Sequence, residues 1–219
     1  MDGLKVLPIK SSETYNWLLN KHYAKRIPNI TDAFGLFYGA PLVGVVTYGI
    51  PPSHALCIGV CGEEHQNKVI ELNRLCLQDN DKNQSSFLIS QSLKLLPKPK
   101  IVVSYADTSK GHVGYVYQAT NFLYTGMSAK RTEWRIRGSN LHSKTITEQS
   151  TLEERQNNPD KYEVVERPQK HRYIYIVGHK KDRKELKKCL KYKEFPYPKG
   201  ETNRYNSGNK VETQMILEI

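Results

Sequence analysis

The stretch from Ile101 to Gly126, IVVSYADTSKGHVGYVYQATNFLYTG, decides the fold class, because it reads as strand, polar turn, short aromatic helix and second strand with almost no filler. Ile101-Val102-Val103 has the β-branched density of a buried strand. The run ends in Ser104, Tyr105, Asp107, Thr108 and Ser109, at the carboxyl edge where open α/β sheets place their ligands. Gly111 and Gly114 bracket the next turn. After them Tyr115, Gln118 and Ala119 have helical spacing, and Val113 and Val116 supply a core-facing stripe. A short loop and two helical turns bring Asp107 and Tyr117 to the same strand end. Asp107 reads either as a helix cap or as a working acid, and the tyrosines read either as packing residues or as site residues.

Upstream, Leu4 to Ile9 is expected to form a first strand, and Ser11 or Ser12 an N-cap, with Glu13 in the first turn of a helix that ends at His22-Tyr23. Ala33 to Tyr38 and Leu42 to Tyr48 read as strands joined by the turn Gly39-Ala40-Pro41. The glycine-rich stretch Cys57 to Gly62 reads as a loop with extended character. Lys68 to Leu77 alternates, with Ile70, Leu72, Arg74 and Cys76 on one face. A guanidinium on an apolar face needs a carboxylate partner such as Glu71 or Asp107, or an anionic ligand. Ser85 or Ser86 is expected to cap a helix carrying Phe87, Leu88, Leu93 and Leu96. Downstream, residues 128 to 170 are polar, basic and poorly periodic and read as a surface excursion. His171 to Val177 is a late strand, and Lys180 to Lys193 a basic helix. The segment from Pro196 to Lys210 is expected to be mobile. The order predicts an α/β (α+β) chain, a central mixed sheet with helices on both faces. Residues 1–178 are expected to form the catalytic domain, and 179–219 a basic helix and tail.

A chain of 219 residues can bury a full core as one domain. No apolar window is long enough for a membrane span, and the first residues lack the pattern of a signal peptide, so a cytoplasmic protein without a membrane partner is expected. Cys57, Cys61, Cys76 and Cys189 form no C-x-x-C, so no disulfide framework is implied. The net charge of +11 is concentrated: Arg167 to Lys199 holds twelve Lys and Arg against three acids, a net +9. A basic segment beside a near-neutral core is the footprint of a phosphate-backbone partner, or else a solubilising helix face. Lys187 and Lys188 on the basic helix are candidate contacts. Lys130, Arg131, Trp134, Arg135 and Arg137 form a second basic cluster, with Trp134 as a stacking plane or a packed aromatic.

The strings HYAKR at 22–26, ELNRLCL at 71–77, SSFLISQSLKLLPK at 85–98, VSYADTSKGHVGYVYQATNFLYTG at 103–126 and KHRYIYI at 170–176 resemble the phage Mom family of DNA adenine-modification proteins, over about residues 15–178. The element order resembles the GNAT acyltransferase fold. The Mom resemblance implies attachment of a carbamoylmethyl group to N6 of adenine in double-stranded DNA, protecting a phage genome from restriction in the cytoplasm of the host. It implies His22, Tyr23, Arg74, Asp107 and Tyr117 as active-site residues, with Ser86 a weaker correspondence. On this reading Asp107 or His22 serves as acid or base, Tyr117 as proton donor or leaving-group stabiliser, and Arg74 holds an anionic part of a small-molecule group donor.

The GNAT likeness implies an acyl-CoA whose pyrophosphate rests on a glycine-rich loop before a helix. Here that loop is QDNDKNQSS, without glycine, leaving Lys82, Ser85 and Ser86 as candidate cofactor contacts. Acyl transfer would also give an amide at N6, whereas a carbamoylmethyl product joins N6 to a methylene carbon. Iron is the other cofactor the residues leave open, with His22, His112 and His171 beside Asp107 as candidate ligands, although their spacing is no recognised metal motif. Two other functions stay open: the GNAT likeness implies an N-acyltransferase acting on tRNA, protein or a small amine, and the basic tail alone would suit a non-catalytic DNA-binding protein.

Overall fold

Alternating β-branched and aromatic runs, separated by Gly, Pro and Asn turns, pair into a mixed seven-stranded sheet in the computed structural model, which describes residues 3–79, 81–139, 141 and 143–200. The strands are β1 (Leu4–Pro8), β2 (Asp32–Tyr38), β3 (Leu42–Gly49), β4 (Val69–Leu77), β5 (Lys100–Asp107), β6 (Leu123–Met127) and β9 (Lys170–Val177), in spatial order β1-β2-β3-β4-β5-β9-β6. All neighbours are antiparallel except β4 and β5. That parallel pair is joined through α2 (Gln84–Leu95) and stays in register only from Val69 to Glu71 against Ile101 to Val103. Past it, Leu72–Leu77 and Ser104–Asp107 run on without pairing to each other, and the sheet opens there.

Helices cover both faces. On one, α2 and α3 (Tyr115–Ala119) pack Leu88, Ile89, Leu93 and Tyr117 against Leu36, Val46, Leu72 and Val102. On the other, α1 (His54–Cys61) and α6 (Lys180–Cys189) pack Val60 and Leu186 against Val103 and Ile174, while Trp17 and Leu18 cover Val45. Each buried aliphatic or aromatic side chain in these layers contributes about 1.5–3 kcal/mol.

Several elements differ from the sequence reading. Cys57–Gly62 belongs to α1: Ser53 Oγ accepts from Leu56 N (3.3 Å), and Cys57, Val60 and Cys61 fall on one helical face against the sheet. Its Gly59 marks close packing, since a Cβ there would lie 3.1 Å from the Tyr192 hydroxyl. The first helix is a 3-10 turn, Ser11–Thr14, followed by a π-type turn, Trp17–Lys21; Lys10 precedes it, and its N–H donates to Glu13 Oε1 (2.8 Å). Neither Ser85 nor Ser86 caps α2; left-handed Asn83 does, and Ser86 Oγ donates to its carbonyl (3.0 Å).

Residues 128–170 are not unstructured. β7 (Arg131–Ile136) and β8 (Tyr162–Arg167) form a separate two-stranded arm, covered by α4 (Ser143–Gln149) and α5 (Leu152–Asn157), with Ile146 and Tyr162 buried between. The basic helix ends at Cys189 rather than Lys193. Beyond it the chain wraps the β6 edge: Phe195 N donates to Tyr124 O (2.9 Å), Tyr197 Oη to Phe122 O (2.9 Å), and Gln118 Nε2 to Pro198 O (3.2 Å). Pro196 to Gly200, read as mobile, is therefore bonded to α3 and β6; residues 201–219 lie outside the described residues. Among the described residues no helix is long and apolar enough to cross a membrane.

Candidate active site

A cavity of about 680 Å³ opens where β4 and β5 part. The register of β4 sets which side chains enter it. Thr47 of β3 faces Arg74 but Tyr48 faces Leu72, so Asn73 is an extra residue that reverses the alternation of the strand. Ile70, Leu72 and Leu77 then face α2, while Cys76 turns to the Trp17 side. Arg74 consequently does not share a face with Ile70 and Leu72, as plain alternation predicted. The bulge turns it away from that apolar face and toward the opening.

His22, Tyr23, Arg74, Asp107 and Tyr117 all line this cavity, delivered by the end of the π-type turn, β4, β5 and α3. Gly114 makes the last placement workable: its φ is +82°, and a Cβ would lie 2.5 Å from the ring of Tyr173. His22 is buried, and Ala24 N donates to its Nδ1 (3.0 Å). Burial, and then the Arg74 guanidinium, push its pKa down to about 3. The ring is neutral with its proton on Nε2, a donor rather than a base. Asp107 fills the capping role its sequence suggested and also lines the cavity. Its carboxylate accepts from Ser109 N (3.0 Å) and Ser109 Oγ (2.7 Å), capping the next turn, and it pairs with Lys170 Nζ at 3.1 Å. Burial pushes that carboxyl up, but Ser109 and Lys170 together outweigh it and hold it below the usual carboxylate range. Tyr117 is pushed up to about 12 and Tyr23 upward too, in both cases chiefly by burial, so both keep their protons.

Arg74 Nη1 donates to the Asn73 carbonyl (2.6 Å), whereas its buried Nε has no hydrogen-bond partner. Leaving such a donor unmet costs about 1–3 kcal/mol, which an anionic ligand would offset. Neither structural partner weighed for it from sequence, Glu71 or Asp107, forms an ion pair with it.

Side chains that sequence reading did not assign to the site also line it: Glu71, Tyr105, Arg167, Lys170 and Arg172. Burial raises the Glu71 carboxyl against the pull of Arg74 and Lys170. Buried Arg172 donates to Thr125 Oγ1 (3.0 Å) and Thr125 O (2.8 Å) and lies 3.3 Å from the ring centroid of Tyr192. KHRYIYI was legible as a strand, but its cations reach the cavity only because β9 lies beside β5.

The cofactor candidates separate. Ser85 and Ser86 line the cavity and Lys82 does not. At the start of α2, Asp81 accepts from Gln84 Nε2 (2.9 Å) and lines the cavity, and the Ser86 hydroxyl is spent on Asn83. A carboxylate in place of a glycine backbone does not fit a pyrophosphate. His22 and His112 line the cavity, while His171 is held by the Tyr124 hydroxyl through Nδ1 (2.9 Å). Among the described residues no three His, Cys, Asp or Glu side chains are grouped to hold a metal ion, so these residues do not fit an iron site.

The basic cluster on the arm divides between its two faces. Arg131, Arg135 and Arg137 alternate with Trp134, which turns to the helix side under the Arg155 guanidinium at 5.6 Å. Trp134 is therefore a packed aromatic. Lys130 lines a separate hollow at the base of the arm; Lys187 pairs with Glu194 (3.0 Å) on exposed α6, beside exposed Lys188.

The protein named Methylcarbamoylase mom of Escherichia phage Mu is 33% identical over 189 residues, 82% of this chain and 77% of that protein. Among solved structures, a Salmonella typhimurium acetyltransferase with acetyl-CoA aligns at a TM-score of 0.47 and 8% identity, covering 81% of this chain and 96% of that one. An N-acetyltransferase from Staphylococcus aureus aligns at 0.44 and 13% identity, covering 80% and 98%. The Mom protein family model matches residues 3–199, and the chain belongs to that family.

Proposed function

We propose that this protein joins a carbamoylmethyl group to N6 of adenine in double-stranded DNA, in the cytoplasm of a host cell, as protection against restriction. The observation that carries this reading is the convergence in one cavity of His22, Tyr23, Arg74, Asp107 and Tyr117, the residues the family resemblance singles out. The cavity has the volume of a small-ligand site, which suits one nucleobase. A stacked adenine reaches it only by leaving the duplex, at a cost of a few kcal/mol.

The N6 amino group is a poor nucleophile because its lone pair is delocalised into the ring. Asp107, ionised and held by Lys170, accepts one N6–H hydrogen bond and aims the lone pair. As the N6–CH2 bond forms and the bond from that CH2 to the donor's leaving group breaks, with the electron pair going to the leaving group, the nitrogen becomes acidic, so even a carboxylate of low pKa takes its proton. His22 cannot share that role while its ring is neutral and Nε2-protonated. With Tyr23 and Tyr117 it supplies hydrogen-bond donors to the base or to the leaving group. Arg74 offers its unpartnered Nε to an anionic part of the donor. The misfit between the start of α2 and a pyrophosphate weighs against the N-acyltransferase reading.

The test is mass spectrometry of nucleosides from DNA of bacteria expressing the chain. A deoxyadenosine heavier by the carbamoylmethyl increment, absent with Asp107→Ala, is expected. An unmodified profile from well-expressed, folded protein overturns the reading.

A further inference from the structure

The arm meets the sheet at a pair of like charges. Arg131 and Arg167 are direct partners in the β7–β8 ladder, an arrangement that repels unless something negative lies between the two. Among the described residues only one long ion pair relieves it. Arg131 makes no ion pair among the described residues, and Arg167 Nε comes only within 3.9 Å of Glu133 Oε2. Glu133 is already held by Arg135 through two hydrogen bonds of 2.9 and 3.1 Å. Farther along, Arg137 pairs with Glu163 at 2.9 Å. The arm thus satisfies its outer arginines at close range and leaves the innermost pair with a single long contact, from Arg167 to Glu133.

That pair is fixed at the rim of the cavity. Ser128 N donates to Lys170 O (2.8 Å) and Lys170 N to Ser128 Oγ (2.9 Å), which ties the base of the arm to the residue that grips Asp107. Arg131 and Arg167 line the cavity on its inner side and, with Lys130, the hollow on its outer side. Inside the cavity Asp107 is matched by Lys170, whereas the exposed Arg131 and Arg167 stand at its solvent edge, where a phosphodiester can reach them. Two guanidinium forks on directly paired residues of one ladder suit the oxygens of one phosphate.

We propose that Arg131 and Arg167 form a phosphate seat that takes the DNA backbone phosphate beside the everted nucleotide. The inference rests on the DNA-modification reading of the cavity. Its test is equilibrium binding of the purified full chain to a labelled DNA duplex across a salt series, without any group donor. Arg131→Ala/Arg167→Ala is expected to weaken binding at least about tenfold at low salt and to make the slope of log K against log salt shallower by about 1–2. Lys161→Ala, which removes an arm cation already matched to Glu154 and outside both cavity linings, should leave that slope unchanged. Arg131→Lys/Arg167→Lys, which keeps the charge, should restore most of the slope and part of the affinity. An unchanged slope in the folded alanine pair, or an equal loss in Lys161→Ala, overturns the seat. Modified adenine from a chain whose binding ignores Arg131 and Arg167 refutes the seat and leaves the function standing. Binding that depends on the pair without any modified nucleoside refutes the function and leaves the seat.

Discussion

The cavity and the arm use the same residue types to opposite ends. In the cavity wall, among the described residues, Arg74 keeps a buried Nε without a hydrogen-bond partner and Glu71 makes no ion pair. On the arm, Arg135, Arg137 and Lys161 are each matched to a glutamate, in pairs open to solvent. Exposed pairs of that kind contribute about 0–1 kcal/mol each and hold a narrow two-stranded element in solution. A buried donor without a partner costs about 1–3 kcal/mol, and at Arg74 it borders a cavity in which a ligand can return the bond. The same deficit at Arg155 Nε lies on the arm, outside the cavity lining, so the missing bond points to a ligand only together with the cavity. Arg131 and Arg167 belong to the arm by position and to the cavity by the wall they line.

The contrast can be broken most sharply at Asp107. Asp107→Asn keeps the shape but removes the charge, and the yield of modified deoxyadenosine should fall about 10²- to 10⁴-fold with DNA affinity retained, as read by nucleoside mass spectrometry beside a binding titration. Equal activity would move the acid–base work to another group. Arg74→Leu comes next: activity should drop at least tenfold, while the melting temperature stays level or rises, because an apolar side chain replaces an incompletely paired buried cation. A large fall in melting temperature would make Arg74 a structural residue.

His22 sharpens the contrast through pH. Its pKa falls from 6.5 in the unfolded chain to about 3 in the fold, so the unfolded state binds the extra proton between those values. Stability is then fully present above about pH 6.5 and is lost toward pH 3, by up to about 1.4 kcal/mol per pH unit. His22→Gln should flatten that part of a urea-midpoint series against pH. Asp107 acts in the same direction at lower pH, since a carboxyl held below its ordinary value stabilises the fold above that value and stops doing so as it protonates. The smallest effect is expected on the arm, where Glu163→Ala removes the partner of Arg137 and should shift the unfolding free energy by no more than about 1 kcal/mol. A larger loss would show that the arm depends on its ion pairs.

Much of the frame was legible because its signals are local. Val102-Val103 and Ile174-Tyr175-Ile176 are apolar wherever they are placed, and both became central strands. Asp107 and Tyr117 are linked by a short turn and helix, and they met in the cavity as their spacing implied. His22 could be tied to them only by likeness to a family, since strand pairing closes the long separation between them.

Composition and periodicity by themselves determined an α/β sheet, a strand end crowded with polar groups and a basic C-terminal half. Tertiary structure decided what those patterns leave degenerate. The extra residue at Asn73 is visible only against Thr47 and Tyr48 across the ladder, yet it settles which face Arg74 takes. Cys57–Cys61 became helical because that conformation lays Cys57, Val60 and Cys61 on Ile101 and Val103, a benefit no local propensity contains. Trp134 was separated from the arginines around it by the period of two along β7 and by the helices that chose one face to cover. Arg131 and Arg167, far apart in the chain, became one feature only when β7 met β8. In each case the deciding energy lies in contacts between distant segments, and a linear pattern does not carry it.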